Sequence, residues 1–220
     1  MPAEPLPKPH PLWLGFVIAY VAVVLVLDTA AFWTGWGRAW FDWDLGTFDL
    51  FKFVMWFVVP FALALPGMDW RFLGLKRWSK CDVALLVGLT VAGALAMFTI
   101  SFVPGLQDYY QSQASRPWEY KVDFVQRQLI WYASWLIGWE FMHRYFLLRP
   151  AEGFWPGYGW VLVPVREVLY HLQKHPLEAV GMGALSVVLT LWTLKRRNFL
   201  VPFLVHLIIE IELVLFLILV

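Results

Sequence analysis

The sequence predicts an all-α fold, a polytopic membrane helical bundle, and three observations lead to this fold class. Of the 220 residues, 60% are hydrophobic and only 15% are charged, whereas a soluble domain carries about 25% charged residues. The stretches 11–27, 53–68 and 83–107 contain no Asp, Glu, Lys or Arg, and about 20 mostly apolar residues cross a bilayer as a helix. The alternating pattern that a membrane β-barrel needs is absent, so the spans are expected to be helices.

About seven transmembrane helices are expected, with six to eight compatible with the pattern. We place them at 12–33, 49–67, 82–104, 127–149, 158–172, 176–194 and 198–219. Residues 1–11 form a Pro-rich tail, and 12–220 are expected to form a single membrane-embedded domain. The lone Cys81 excludes an intramolecular disulfide. A net charge of +1 argues against a nucleic-acid partner, so the lipid bilayer is the expected environment.

The loops suggest an orientation for these spans, because Lys and Arg are retained on the cytoplasmic side. One set of loops holds nine cations: Lys8, Arg71, Lys76, Arg77, Lys80, Arg149, Lys195, Arg196 and Arg197. The other set holds five: Arg38, Arg116, Lys121, Arg127 and Lys174. This bias predicts a cytoplasmic N-terminus and an outer C-terminus. The segment 107–126 carries both signs and can alternatively form an amphipathic helix on the outer surface. Four tryptophans of the first outer loop are expected at the headgroup layer: Trp33, Trp36, Trp40 and Trp43.

Ionisable residues are concentrated in the last four spans. These are Glu140, His143, Arg144, Arg166, Glu167, His171, His206, Glu210 and Glu212. Each charge at bilayer depth costs about 2.5–3.5 kcal/mol on insertion scales, so several together require a shared polar cavity. That cavity is the expected functional site. The alternative is that these residues form interhelical ion pairs that only fix the packing.

The spacing of these residues selects candidates for the site. Three pairs are four residues apart and each lies on one helix face: Glu140 with Arg144, Glu167 with His171, and His206 with Glu210. At 1.5 Å per residue, Glu140, His171 and His206 lie roughly 12–18 Å from the predicted cytoplasmic helix ends. These three side chains are therefore expected to meet at one depth.

Two chemistries fit a carboxylate and two imidazoles in a membrane cavity. The first is general-base activation of water with a second imidazole stabilising an oxyanion, which suits hydrolysis of a peptide bond. The second is metal binding, with Glu140, His171 and His206, joined by Glu210, as ligands of zinc or another divalent metal. The sequence leaves both open. A proton-relaying transporter is less favoured because no inverted repeat is visible.

Three stretches resemble the motifs of a known membrane family. They are WEFMHR at 139–144, EVLYH at 167–171 and HLIIE at 206–210. They are similar, in order and spacing, to the Glu-Glu-x-x-x-Arg, Phe-x-x-x-His and His-x-x-x-Asn/Asp motifs of the CPBP family. This family unites CAAX prenyl proteases with bacteriocin-processing intramembrane glutamic endopeptidases. The resemblance covers about 127–220.

The resemblance implies an all-helical membrane bundle and an intramembrane endopeptidase that needs no cofactor and acts on a membrane-associated protein or peptide. By the same resemblance, His171 is the water partner and His206 is an oxyanion donor. Glu140 and Arg144 match the second Glu and the Arg of the first motif, and Glu210 takes the position of the final Asn or Asp. These five residues are the expected catalytic set.

The chain departs from the family pattern at three positions. Trp139 replaces the first Glu, and an indole cannot accept a proton. Tyr145 stands where a Gly usually follows the motif Arg. An ionised Glu210 would repel an oxyanion, so Glu210 is expected to be protonated or paired, for instance with Arg166.

Two interpretations of these departures remain. Some divergent members associated with bacterial protein-sorting systems have Trp-Glu in the first motif and His-x-x-Lys-Pro-x-x-Glu after the second His, and HLQKHPLE at 171–178 is similar. In such a member Glu140 serves as the base, with Trp139, Glu167, Lys174 and Glu178 as accessory residues. The other interpretation is a catalytically inactive member that acts as a membrane binding or assembly protein.

Overall fold

The computed structural model describes residues 6–34, 44–45, 48–74 and 78–220. Within these ranges the chain forms eight helices and one two-stranded antiparallel hairpin, β1 (Asp44–Leu45) and β2 (Phe48–Asp49). The helices are α1 (Pro11–Thr34), α2 (Leu50–Gly67), α3 (Lys80–Phe102), α4 (Pro104–Tyr109), α5 (118–154), α6 (Leu162–His171), α7 (Pro176–Arg196) and α8 (Leu200–Leu219). The all-α membrane bundle predicted from composition is thus confirmed.

Five of these helices are long and apolar enough to cross a membrane. They are α1, α2, α3, α7 and α8, with mean hydropathies between 1.6 and 2.4. They coincide with five of the seven predicted spans. The other two, at 127–149 and 158–172, fall on α5 and α6, and α6 has 10 residues, or about 15 Å. Because this length is half of a bilayer core of about 30 Å, the total of seven crossings stays a prediction.

Helix α5 is the centre of the bundle. Residues 138–148 are all buried, and they contact α1, α2, α6 and α8. The helix continues without interruption through a π-helical segment, Met142–Leu147, to Phe154. The first part of α5, residues 118–131, is mostly exposed and carries charged side chains, whereas its second part is buried and holds Glu140 and Arg144.

Close helix approaches at two glycines bring the polar faces together. A Cβ added at Gly138 would lie 3.0 Å from the backbone carbonyl carbon of Trp56, so α2 lies directly against α5. A Cβ at Gly183 would lie 2.6 Å from Cγ2 of Val168, so α7 lies directly against α6. Larger residues at these two positions would push α2 and α7 away from the core.

One end of the bundle collects several loops, and we call it the basic end (residues 6–10, 68–74, 149–154 and 195–199). The amide of Phe199 donates to the carbonyl of Phe72 over 3.0 Å. The amide of Asp69 donates to the hydroxyl of Tyr145 over 2.6 Å. Nζ of Lys8 lies 5.1 Å from the centre of the Phe154 ring. Loops that the charge bias assigned to one side therefore do meet at one end.

At the opposite end of the bundle, the structure does not form the amphipathic helix that was one alternative for residues 107–126. Segment 107–126 is not a single amphipathic helix, because α4 ends at Tyr109 and α5 begins at Trp118. Between them, the amide of Gln113 donates to the carbonyl of Leu217 over 2.7 Å, which ties this loop to the end of α8. Trp33, in the last turn of α1, is 64% exposed. Six of the residues used above for orientation and for the headgroup layer lie outside the described residues: Trp36, Arg38, Trp40, Trp43, Lys76 and Arg77.

Candidate functional site

Arg144 bridges two carboxylates on neighbouring helices. Its Nη1 lies 2.7 Å from Oε2 of Glu140, one turn earlier on α5, and 2.9 Å from Oε1 of Glu167 on α6. Nη2 donates to Oε2 of Glu167 over 3.3 Å. All three side chains are at most 1% exposed. Two of the three predicted i,i+4 pairs are thus joined through one guanidinium.

His206 extends this arrangement to α8. Its Nδ1 lies 2.7 Å from Oε1 of Glu140, and its Nε2 lies 3.5 Å from Oε1 of Glu210. The ring is 4% exposed and packs edge-on against Trp135. We call Glu140, Arg144, Glu167, His206 and Glu210 the charged cluster. The sequence placed these five residues on three helices, and the structure brings them into one continuous set of contacts.

The charges of the cluster and its neighbours do not cancel. Lys174 interacts electrostatically with Glu210 and forms an ion pair with Glu178, with 2.6 Å between Nζ and Oε1. Four carboxylates therefore face three basic groups: Glu140, Glu167, Glu178 and Glu210 against Arg144, Lys174 and His206. Even with His206 charged, one negative charge is unpaired. Because an unpaired charge is costly inside a membrane protein, we expect one carboxyl group to hold a proton.

A π-helical segment immediately follows Glu140. It runs from Met142 to Leu147 and contains Arg144. Such segments insert one residue per turn, change which side chains face inward, and are common at functional sites. In this segment His143 is completely buried, its Nδ1 lies 2.8 Å from the carbonyl of Trp139, and its Nε2 has no partner. His143 therefore faces the interior, not the lipid.

His171 lies beside the cluster without touching Glu140 or His206. Its Nδ1 is 2.7 Å from the backbone carbonyl of Glu167. Because a carbonyl can only accept, Nδ1 carries the hydrogen, and in the neutral ring Nε2 keeps its lone pair. Nε2 makes no hydrogen bond to any described residue, and His171 as a whole is 6% exposed. Of the three side chains that were expected to meet, Glu140 and His206 are in contact. His171 contacts neither of them, and its Nε2 keeps an available lone pair.

Trp139 is packed among aromatic rings from three helices. Its ring lies 4.2 Å from that of His143, 4.9 Å from that of Tyr170 and 5.3 Å from that of Trp56. The ring of His171 stands perpendicular to it at 5.7 Å. The indole is 1% exposed, and its Nε1 has no partner. Trp139 thus packs α2, α5 and α6 together and supplies no proton acceptor.

Lys174 and Glu178, the predicted accessory pair, lie on either side of the first residue of α7, Pro176. The hydroxyl of Tyr110 donates to Oε2 of Glu178. This hydrogen bond holds the loop that follows α4, residues 110–117 (the α4 loop), against this pair. Burial lowers the pKa of Lys174, but the nearby carboxylates of Glu178 and Glu210 raise it more. Burial and the Glu178 carboxylate both raise the pKa of Tyr110. Tyr110 could not be identified from sequence spacing, because its partner Glu178 is 68 residues away.

One expected partner is wrong. Arg166 does not pair with Glu210; its Nη2 donates to the carbonyl of Val21 on α1 over 3.1 Å. On a helix of ten residues, Arg166 and Glu167 are adjacent and point in different directions. Glu167 faces the charged cluster, and Arg166 therefore faces α1. Glu210 instead interacts with His206, Lys174 and Tyr132.

The alternative metal site is not assembled in the described ranges. Across them, no three His, Cys, Asp or Glu side chains are grouped as a metal ion requires. Oε2 of Glu140 is bound to Arg144 and Oε1 to His206, so each oxygen of this carboxylate already faces a positively charged group that would repel a metal cation. The contacts of the cluster suit proton chemistry better than metal binding.

Comparisons with protein-family models, with curated proteins and with solved structures find no match to this chain.

Proposed function

We propose that the protein is a CPBP-type intramembrane endopeptidase that hydrolyses a peptide bond of a membrane-associated protein. The observation that carries the proposal is the Nε2 lone pair of His171, which lies next to a buried charged cluster. A basic nitrogen without a partner beside a protonated acid is the arrangement that water activation needs.

In the proposed reaction, Nε2 of His171 removes a proton from water while the water oxygen attacks the peptide carbonyl. His206 carries protons on both ring nitrogens, because a carboxylate faces each. Its Nε2–H, which Glu210 contacts only at 3.5 Å, donates to the developing oxyanion. The proton on His171 passes to the leaving amine, and the C–N bond breaks. Trp139 explains why an imidazole, not a carboxylate, is the base.

Glu140 and Arg144 position the other groups in this proposal. Glu140 holds Nδ1–H of His206, which fixes the ring orientation. Arg144 holds Glu140 and also Glu167, whose backbone carbonyl holds His171. The two imidazoles are therefore coupled through one guanidinium. The proposal also includes a bacterial inner membrane, a cytoplasmic basic end and a role in protein sorting or maturation, which the loop charges and the 171–178 stretch support.

The test compares new protein N-termini in membranes of cells that produce different variants. Labelling of free amines followed by mass spectrometry should identify termini that are present with the wild type and absent with His171→Ala. His10→Asn is the matched control, since His10 is exposed and Asn retains the acceptor for the amide of Leu12. Identical sets of termini for the wild type and His171→Ala would refute the proposal, provided that both proteins are present in equal amounts.

A second candidate function is a non-catalytic membrane binding or assembly protein. The observation in its favour is that both oxygens of Glu140 are already bound by cationic partners, which is also how an ion pair locks helices together. This candidate predicts that Glu140→Gln changes stability without changing any N-terminus. Glu119→Gln, at an exposed site at the start of α5, is the control for the loss of a carboxylate.

A further inference from the structure

A pocket lies at the basic end, away from the charged cluster. Its volume is about 280 Å³, and it opens between the start of α1, the end of α2 and residues 145–150 of α5. Trp13, Leu63 and Phe146 give it apolar walls, whereas Tyr145 and Arg149 supply its polar groups. The proposed function makes no use of this pocket.

The guanidinium of Arg149 lines the pocket, and its positive charge has no carboxylate of the described residues in close contact. Nη1 donates to two neutral acceptors, the hydroxyl of Tyr145 over 2.5 Å and the carbonyl of Gly67 over 3.4 Å. The nearest carboxylate is Asp69, whose Oδ2 lies 3.9 Å from Nη2. Nε is buried without a partner. The guanidinium therefore contacts two neutral acceptors and forms one long ion pair with Asp69 at 3.9 Å, so a phosphate can make a closer charge-assisted contact with it.

Two aromatic rings hold this guanidinium in place. Its carbon lies 4.8 Å from the centre of the Tyr145 ring and 5.6 Å from that of Phe72. The Tyr145 hydroxyl also accepts from the amide of Asp69. Tyr145 is the residue that departs from the usual family Gly, and here its function is to fix Arg149 and the 68–74 loop. A cation that is held by stacked rings is preorganised for an anion.

The position of the pocket indicates what kind of anion it meets. It lies where the charge-free stretches of α1 and α2 end, at the expected boundary between hydrocarbon and headgroups. Trp13, at the start of α1, is of a residue type that prefers this layer. A ligand here meets apolar walls on the membrane side and a guanidinium on the water side.

We propose that this pocket binds one anionic phospholipid. The phosphate contacts Arg149, and the start of an acyl chain lies along Leu63 and Phe146. A guanidinium suits a phosphate because two N–H groups can bind two oxygens at once. An uncharged amphiphile would leave Arg149 without an anion, and a free anion would leave the apolar walls uncovered, so neither complements the pocket fully.

Native mass spectrometry of the purified full-length protein in detergent tests this proposal. Titration with dioleoyl phosphatidylglycerol should give one saturable bound lipid, at least tenfold tighter than dioleoyl phosphatidylcholine. Arg149→Gln should weaken phosphatidylglycerol binding by about ten- to hundredfold, since it removes a charge-assisted contact. Lys195→Gln removes an exposed cation from the same end and should leave the affinity unchanged.

A second variant tests the pocket without changing its charge. Gly67 lines the pocket, and a Cβ there meets nothing within 4 Å, so Gly67→Leu should obstruct the cavity and reduce lipid binding without disturbing the fold. Gly88→Leu, at an equally open site on α3, is the matched control. Equal affinity for the two lipids, full affinity in both pocket variants, or displacement of the lipid by equimolar inorganic phosphate would each overturn the proposal.

Discussion

Replacing Arg144 by Met should be among the most destabilising single changes in this protein. The methionine fills a similar volume but leaves Glu140 and Glu167 without the guanidinium that lies 2.7 and 2.9 Å from them. Both carboxylates are completely buried. Removing one partner of a buried ion pair costs about 3–5 kcal/mol. Protonation of a carboxylate limits the cost, so we expect a loss of about 3–5 kcal/mol for the whole change and not twice that amount.

A control variant separates the cost of leaving two buried carboxylates without a partner from the general effect of losing an arginine. Arg127 is on the same helix and also pairs with a carboxylate four residues away, at 2.7 Å from Asp123, but both side chains are about half exposed. Exposed pairs of this kind contribute at most about 1 kcal/mol. Arg127→Met is therefore the matched control, and its unfolding free energy should stay within about 1 kcal/mol of the wild type.

The assay is reversible unfolding in mixed micelles, in which helix content is followed as the fraction of SDS rises. A double variant adds a second constraint: Glu140→Gln in the Arg144→Met background removes one of the two stranded carboxylates and should recover part of the stability. The reasoning is refuted if Arg144→Met costs no more than Arg127→Met, or if the double variant is less stable than Arg144→Met alone.

Further changes test other contacts. Gly138→Ala places a methyl group against the backbone of Trp56 and should destabilise the protein by about 1–3 kcal/mol, whereas Gly181→Ala, in open space, should stabilise α7 by up to about 1 kcal/mol; the same unfolding assay measures both signs. Tyr110→Phe removes the hydrogen bond to Glu178 and should cost about 1 kcal/mol, with faster amide hydrogen exchange in the α4 loop as its local signature. EDTA should leave both the melting temperature and the proposed proteolytic activity unchanged, since both oxygens of the central carboxylate contact cationic protein groups; loss of that activity, restored by zinc, would contradict this.

Local contacts explain which features of the site were predictable. Glu140 and Arg144 lie on one helix face by spacing alone, and they form the expected ion pair. His206 and Glu210 follow the same rule with a longer contact. His171 and Glu167 do not pair through their side chains, because Arg144 takes the Glu167 carboxylate and leaves only the backbone carbonyl for the imidazole. The i,i+4 rule states which groups can meet, and competition from another helix decides which do.

The sequence by itself determined the fold class, the five long apolar helices and the half of the chain that holds the buried charges. These features follow from hydropathy and from the period of a helix, which are properties of short stretches. Only the tertiary structure decided that His206 contacts Glu140, that Arg166 faces α1 and that Arg149 reaches a pocket. Such contacts depend on how each helix is rotated about its axis and how closely it approaches its neighbours. Rotation and approach are set by packing, at positions such as Gly138 and Gly183, where the partner lies far away in the sequence.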